Sequence, residues 1–113
     1  MKIAVTAQAP SLEAEVDPRF GRAAYFVFFD TETGEAEFLE NPNLDQAGGV
    51  GVLSGQLMVD RGVEVVITGN CGPKAEQVLK AAGIRIVTGA SGKVQEALTR
   101  FREGETGSEE GDD

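Results

Sequence analysis

The stretch Glu64–Gly83, which reads EVVITGNCGPKAEQVLKAAG, decides the fold of this chain. Val65–Ile67 is a short, β-branched and wholly apolar run, which is typical of a strand buried on both faces of a parallel sheet. A loop with two glycines follows, and Pro73 then opens an amphipathic helix that ends before Gly83. Residues 84–87 (IRIV) are predicted to be the next strand, so this part of the chain predicts a β-loop-α-β unit. In open α/β sheets ligands lie at the carboxyl ends of the strands, so the loop of this unit is the first candidate site.

The sequence on either side of this stretch predicts three further strands and two further helices. The strands are predicted over 2–6, 23–29 and 35–40, and the helices over 50–61 and 91–101, with Ser91 as the N-cap of the last helix. Right-handed crossovers place the first, fourth and fifth strands parallel, with the hairpin of the second and third strands on one side. The predicted fold is therefore α/β and three-layered, with a mixed five-stranded sheet and helices on both faces.

The helix over 50–61 is the least regular of the three. Val50, Leu53 and Leu57 fall on one side of it, and we expect that side to be buried. Gly55 costs this helix about 1 kcal/mol relative to alanine. A close contact between helix and sheet would explain why a glycine stands there.

Charge and composition indicate one globular domain followed by an acidic tail. The chain has 113 residues, 41% of them hydrophobic, which suits a single domain, predicted over 1–102. Residues 103–113 hold six of the 19 acidic residues and neither a base nor a large apolar side chain, so they are predicted to be disordered. The remaining 13 acids and 10 bases offer no basic face to nucleic acid. The sequence shows no membrane-length apolar segment and no signal-peptide pattern, so we expect a cytoplasmic protein that does not enter membranes.

The chain contains no histidine and one cysteine, and this excludes several kinds of site. Without histidine there is neither a Ser-His-Asp triad nor a Cys-His pair. One cysteine cannot form an intrachain disulfide or hold a four-cysteine iron–sulfur cluster. With no imidazole to help, it also cannot complete a tetrahedral zinc site. These absences exclude histidine-dependent catalysts and a zinc site of sulfur and imidazole ligands.

The residues suited to binding a ligand fall on loops that the predicted topology brings to one end of the sheet, which we call the pole. They are Arg19, Phe20, Gly21, Arg22, Gly69, Asn70, Cys71, Gly72 and Lys74. The N–H groups of the loop 69–72 can form a nest for an anion, and the helix N-terminus should lower the pKa of Cys71 and make its thiolate a metal ligand. Plainer interpretations stay open at this stage: an inert thiol, glycines that serve turn geometry, solvated arginines and an aromatic ring that fills the core.

Four short motifs occur in the same order in a known family: DPRFGRA at 17–23, GGVG at 48–51, VITGNCGP at 66–73 and AAGI at 81–84. Through them residues 1–101 resemble the dinitrogenase iron–molybdenum cofactor biosynthesis family, which includes NifX-like proteins and the C-terminal part of NifB-like proteins. The resemblance implies a ribonuclease H-like fold and a protein that binds or carries an iron–sulfur or molybdenum-containing cluster, or its precursor, without covalent attachment. It also implies cofactor-assembly proteins as partners, and a monomer or a homodimer. This chain has no histidine and carries Lys74 where asparagine is frequent, which argues against a role in nitrogenase itself.

Three functions from different classes follow from these observations. The leading hypothesis is a non-catalytic binding or carrier protein, in which Cys71, the loop N–H groups and the cations at the pole hold an anionic metal–sulfur cofactor. The alternative is a regulatory or adaptor module that binds a partner protein or a small anion at the same pole. A nuclease, suggested by the fold alone, needs carboxylates that converge on the sheet, and the first strand, KIAVT, carries none.

Overall fold

The computed structural model describes residues 1–104, which form five strands and three helices. Their order is β1 (Lys2–Ala7), β2 (Tyr25–Asp30), β3 (Ala36–Glu40), α1 (Val50–Asp60), β4 (Val65–Ile67), α2 (Pro73–Ala81), β5 (Arg85–Val87) and α3 (Val94–Gly104). The sheet has the order β3-β2-β1-β4-β5. Strands β1, β4 and β5 are parallel, while β2 and β3 form an antiparallel hairpin beside β1. The predicted mixed five-stranded sheet is confirmed.

The core lies on both faces of this sheet because its central strands are apolar on both sides. On one face the strands pack against α3, through Ile3, Val5, Val27, Val65, Ile67, Val94, Leu98 and Phe101. On the other face they pack against α1 and α2, through Ala4, Phe26, Phe28, Met58, Val66, Ala75 and Leu79. Successive residues of a strand point to opposite faces, so the continuous apolar runs of β1 and β4 feed both layers. The three-layer α/β architecture is thereby confirmed.

Helix α1 buries a different side from the one predicted. Its buried residues are Ser54, Gly55 and Met58, whereas Leu53 remains 41% exposed. The glycine is explained by the neighbouring helix and not by the sheet, because a Cβ at position 55 would lie 3.0 Å from Val78 of α2. The prediction went wrong because α1 is apolar on several sides, so its periodicity did not identify the face that packs.

Helix α3 begins later than predicted. Ser91 lies three residues before Val94, and the N-terminus of the helix is covered by the long loop after β1. The N–H of Val94 donates to the carbonyl oxygen of Ala14 (2.8 Å), and that of Gln95 donates to Leu12 (2.9 Å). The start of α3 is therefore set by tertiary contact, because these carbonyl groups satisfy N–H groups that a serine cap was expected to satisfy.

The C-terminal end of α3 includes Glu103 and Gly104, two residues that the sequence assigned to the acidic tail. The rest of that predicted tail, 105–113, lies outside the described residues. Among residues 1–104 no helix combines the length and the apolar character needed to cross a membrane.

Candidate functional site

The pole of the sheet brings the two predicted binding loops together. Arg19 and Asn70 form a short parallel bridge, in which the N–H of Phe20 donates to the carbonyl oxygen of Asn70 (3.0 Å). This bridge joins the loop after β1 to the loop after β4. The bridge can form because β1 and β4 are parallel neighbours, so both strands end at the same edge of the sheet. The predicted convergence of these loops is therefore observed.

Gly69 allows this convergence but does not line the site. A Cβ at position 69 would lie 2.6 Å from the Cα of Pro18, closer than any side chain can approach backbone. The carbonyl oxygen of Gly69 also accepts the N–H of Gly89 at 2.8 Å, which ties the loop after β5 to the pole. Its contacts thus support a structural interpretation of this glycine, which permits the close approach of two backbones.

A buried polar group fixes the loop after β1. Asp17 is 3% exposed, and its carboxylate accepts the N–H groups of Arg19 (3.0 Å) and Ala24 (3.1 Å). The hydroxyl of Thr6 donates to the carbonyl oxygen of Asp17 (2.7 Å) and lies 2.9 Å from the hydroxyl of Thr68. Buried polar groups need such partners, and here they attach the loop to the ends of β1 and β4. In the sequence Asp17 is one residue of the DPRFGRA motif, and nothing in that pattern predicts this role.

A cleft of about 380 Å³ opens at the pole, between this loop and the first turns of α1 and α2. We define the cleft by its lining residues, which are Arg19, Phe20, Gly21, Arg22, Val50, Gly51, Asn70, Gly72, Pro73, Lys74 and Ala75. Seven of the nine predicted site residues are among them, and only Gly69 and Cys71 are not. Phe20 fits both of its earlier interpretations, because its ring is 1% exposed and packs against Phe26 while it also forms the cleft wall.

Two helix N-termini meet in this cleft, and only the N-terminus of α2 was predicted to lie at the site. Both helices start from a glycine that offers no side-chain cap, Gly49 for α1 and Gly72 for α2. Their first turns touch, since a Cβ at Gly51 would lie 3.3 Å from that of Ala75. Within residues 1–104, no hydrogen bond occupies the N–H groups of Gly51 and Ala75. Uncapped N–H groups and the positive ends of two helix dipoles make such a place suited to an anion.

Three cations surround the same cleft. The side chain of Arg19 is 66% exposed, with its Nε 3.6 Å from a carboxylate oxygen of Asp17. Arg22 donates to the carbonyl oxygens of Leu44 (3.5 Å) and Gln46 (3.3 Å), and its guanidinium has no carboxylate partner within residues 1–104. Lys74 is exposed and has no ion pair in the described part of the chain. The electrostatics of the cleft therefore favour a negatively charged ligand.

The predicted lowering of the Cys71 thiol pKa is wrong, because the environment of this side chain raises it. Its side chain is half-buried and packs beside the core under α2. Burial raises the pKa of the Cys71 thiol, and the negative charge of Glu76 raises this pKa further. Desolvation disfavours the thiolate here more than the helix N-terminus was expected to favour it. No group of three or more acidic or cysteine side chains among residues 1–104 is arranged to hold a metal ion.

Four lining residues were not predicted, Val50, Gly51, Pro73 and Ala75, and the first two had a signal in the sequence. The run Gly48–Gly51 (GGVG) spans the start of α1, with Gly49 directly before the helix, as Gly72 stands directly before α2. Two helices that each begin after a glycine and reach the same edge of the sheet would have indicated a paired anion site.

Comparison with known proteins places the whole described chain beside relatives of similar length. The family model described as dinitrogenase iron–molybdenum cofactor matches residues 1–104. An uncharacterized protein of Methanocaldococcus jannaschii is 35% identical over 107 residues, which cover 92% of this chain and 87% of that protein. The apo form of the orange protein from Desulfovibrio gigas is similar with a TM-score of 0.88 and 43% identity, covering 91% of this chain and 88% of that chain. An NMR structure of a candidate NifB protein from Thermotoga has a TM-score of 0.80 and 40% identity, with the same two coverages.

Proposed function

This chain belongs to the dinitrogenase iron–molybdenum cofactor family, and from that premise we propose that it binds or carries an anionic metal–sulfur cofactor, or its precursor, without catalysing a reaction. The cofactor is an iron–sulfur or molybdenum-containing cluster held non-covalently in the cleft. Cofactor-assembly proteins are the partners that would deliver or receive it. The apo form of a relative with 43% identity supports a binding role, because an apo form is defined by a ligand that can be absent.

The observation that carries this proposal is the meeting of two glycine-capped helix N-termini with three cations in one cleft. Arg19, Arg22 and Lys74 supply positive charge, and the first turns of α1 and α2 supply N–H donors. Hydrogen bonds to a charged acceptor contribute about 1.5–3 kcal/mol each. The walls between these groups are apolar, formed by Phe20, Val50 and neighbouring residues. A cleft of this kind suits a multiply charged anion with weakly hydrated faces, such as a sulfide-rich cluster, better than a small, strongly hydrated anion.

Cys71 has a secondary part in this proposal. A thiol must lose its proton to bind a metal, and its raised pKa makes that loss costly before a metal is present. Cys71 is also not among the residues that line the cleft. We propose that charge and hydrogen bonds hold the ligand, and that direct ligation by Cys71 adds to them.

The experiment that tests this function is an anaerobic titration with tetrathiomolybdate, a soluble molybdenum–sulfur anion, followed by visible absorption. Molybdate, with oxygen in place of sulfur, is the matched ligand control. The double variant Arg19→Ala/Arg22→Ala should lose at least tenfold in affinity. Lys2→Ala/Arg102→Ala removes the same net charge near the opposite end of the sheet and should bind like the unchanged protein. Equal losses in both double variants, or equal binding of the two anions, would contradict a specific metal–sulfur site.

A role as an adaptor that binds a partner protein is the second candidate. Val52 and Leu53, on the outer side of α1, each leave 41% of their surface exposed. They follow Val50 and Gly51 directly, so a partner that covers them would also lie against the cleft. If Val52→Lys/Leu53→Lys abolishes binding to an identified assembly protein while tetrathiomolybdate binding is kept, the two roles are separable. If neither anion binds and the partner does, the adaptor role replaces the carrier role.

A further inference from the structure

A buried asparagine directly follows the edge strand β3, at the end of the sheet that forms the pole. Asn41 is 4% exposed, and its side-chain amide donates to the carbonyl oxygens of Gly21 (3.1 Å) and Ala23 (2.8 Å). Its Oδ1 accepts the N–H of Asn43 at 2.9 Å. Both ends of the buried amide are therefore engaged, and Asn41 fixes the turn between Gly21 and Ala23.

The same turn lies against the first turn of α1. A Cβ at Gly21 would stand 3.2 Å from the Cα and the N of Gly51, and equally close to a methyl carbon of Val50. The hydroxyl of Ser54, a buried residue of α1, donates to the carbonyl oxygen of Gly21 at 3.5 Å. The turn and the start of the helix thus touch through their backbones, and the wall that they form in the cleft depends on where Asn41 holds the turn.

The loop after β3 also holds the side chain of Arg22. One terminal nitrogen of the guanidinium, Nη1, donates to the carbonyl oxygens of Leu44 (3.5 Å) and Gln46 (3.3 Å). We call residues 41–46 the 41–46 loop. No other group among residues 1–104 accepts a hydrogen bond from this guanidinium, so its Nε and Nη2 N–H groups remain for a ligand.

An arginine that is held in place binds an anion differently from a mobile surface cation. The Nε and Nη2 N–H groups of a guanidinium are a planar pair that suits an anion with two acceptor atoms on one edge. A mobile side chain loses rotamer freedom when it binds, and an arginine that a loop already holds loses less of it. Arg22 combines this support with a place in the lining of the cleft.

We propose that the 41–46 loop is a positioning element of the cleft. Asn41 fixes the turn that carries Arg22, and the carbonyl groups of Leu44 and Gln46 orient its guanidinium toward the anion. The ligand class that this arrangement favours is an anion with two acceptor atoms on one edge, as the sulfide edges of a metal–sulfur cluster provide. The binding part of this inference rests on the function proposed above, whereas the positioning of Arg22 is measurable without any ligand.

The ligand-free test compares the unchanged protein with Asn41→Leu, which removes both amide hydrogen bonds and keeps a branched side chain of similar shape. In ¹H–¹⁵N NOE measurements the Nε of Arg22 should be restricted in the unchanged protein and more mobile in the variant. The Nε of Arg19 is the internal control, because its partner Asp17 is untouched. An Arg22 Nε that is freely mobile in the unchanged protein, or equally restricted in both proteins, would overturn the positioning whatever the cleft binds.

Anion binding is tested with an exchange that conserves charge. Arg22→Lys keeps the positive charge and loses the planar fork, so its affinity for tetrathiomolybdate should fall about threefold to tenfold. Arg102→Lys is the matched control, because it makes the same exchange beside Phe29, away from the cleft, and should bind like the unchanged protein. Equal affinity of Arg22→Lys and the unchanged protein would show that charge alone acts at this position, and would overturn the inference.

A double-mutant comparison tests whether Asn41 acts through Arg22. The affinity of Asn41→Leu should fall by a similar factor, and Asn41→Leu/Arg22→Ala should bind little more weakly than Arg22→Ala alone. Leu98→Ala, in the core on the opposite face of the sheet, controls for lost stability and should bind like the unchanged protein where it is folded. Additive losses, or an equal loss in Leu98→Ala, would overturn the role of Asn41. If the unchanged protein does not bind the anion, the function proposed for the cleft fails, while the NOE of Arg22 still decides the positioning.

Discussion

Replacing Gly69 by alanine tests whether the close contact between the two binding loops is required. The new Cβ would lie 2.6 Å from the Cα and 2.9 Å from the carbonyl oxygen of Pro18. Ordinary contacts between such atoms are about 3.5–4 Å, so the two backbones must separate by about 1 Å. Overpacking of this kind costs about 1–3 kcal/mol. The same movement weakens the Gly89–Gly69 and Phe20–Asn70 hydrogen bonds, which contribute about 1 kcal/mol each.

The expected loss for Gly69→Ala is therefore about 2–4 kcal/mol of unfolding free energy, or roughly 8–16 °C in Tm. Thermal unfolding followed by circular dichroism measures it. Gly48→Ala is the matched control, because no atom lies within 4 Å of its Cβ and it should leave Tm unchanged or slightly higher. At temperatures where Gly69→Ala is folded, it should also bind tetrathiomolybdate more weakly than the unchanged protein, since Arg19 moves with its loop. A Tm for Gly69→Ala within about 2 °C of the unchanged protein would refute this reasoning.

Three further predictions concern the charge of the cleft, the Cys71 thiol and the buried hydrogen bonds of Thr6. The affinity for tetrathiomolybdate should fall with rising salt in the unchanged protein and fall less steeply in Arg19→Ala/Arg22→Ala. Part of the affinity should persist in Cys71→Ala. Complete loss of binding in Cys71→Ala alone would identify a thiolate site. Alkylation of Cys71 by iodoacetamide should reach its half-maximal rate at a higher pH than a free thiol because its pKa is raised, and Glu76→Gln should lower that pH; no response to this variant would contradict the charge effect. Thr6→Val should lower the free energy of unfolding by about 1–3 kcal/mol, measured by chemical denaturation, since it leaves buried oxygens without a donor. An unchanged denaturation midpoint would show that the hydrogen bonds of Thr6 are dispensable.

The pattern of apolar runs determined the order of the elements and the parallel centre of the sheet. Val65–Ile67 predicts a strand buried on both faces, and Pro73 and Gly83 mark the ends of the helix that follows it. These are local properties, because a strand or an amphipathic helix shows its period in its own residues. Given right-handed crossovers, the position of the pole follows, and with it seven residues of the cleft.

Only the tertiary structure decided how α1 and Cys71 take part. Helix α1 is apolar on several sides, so the contact of Gly55 with Val78 selects its buried face and brings its N-terminus to the cleft. The pKa of Cys71 depends on how much water the surrounding core removes and on the distance to Glu76. The buried face of α1 and the pKa of Cys71 both depend on which residues folding brings close together. A local sequence pattern does not contain that information.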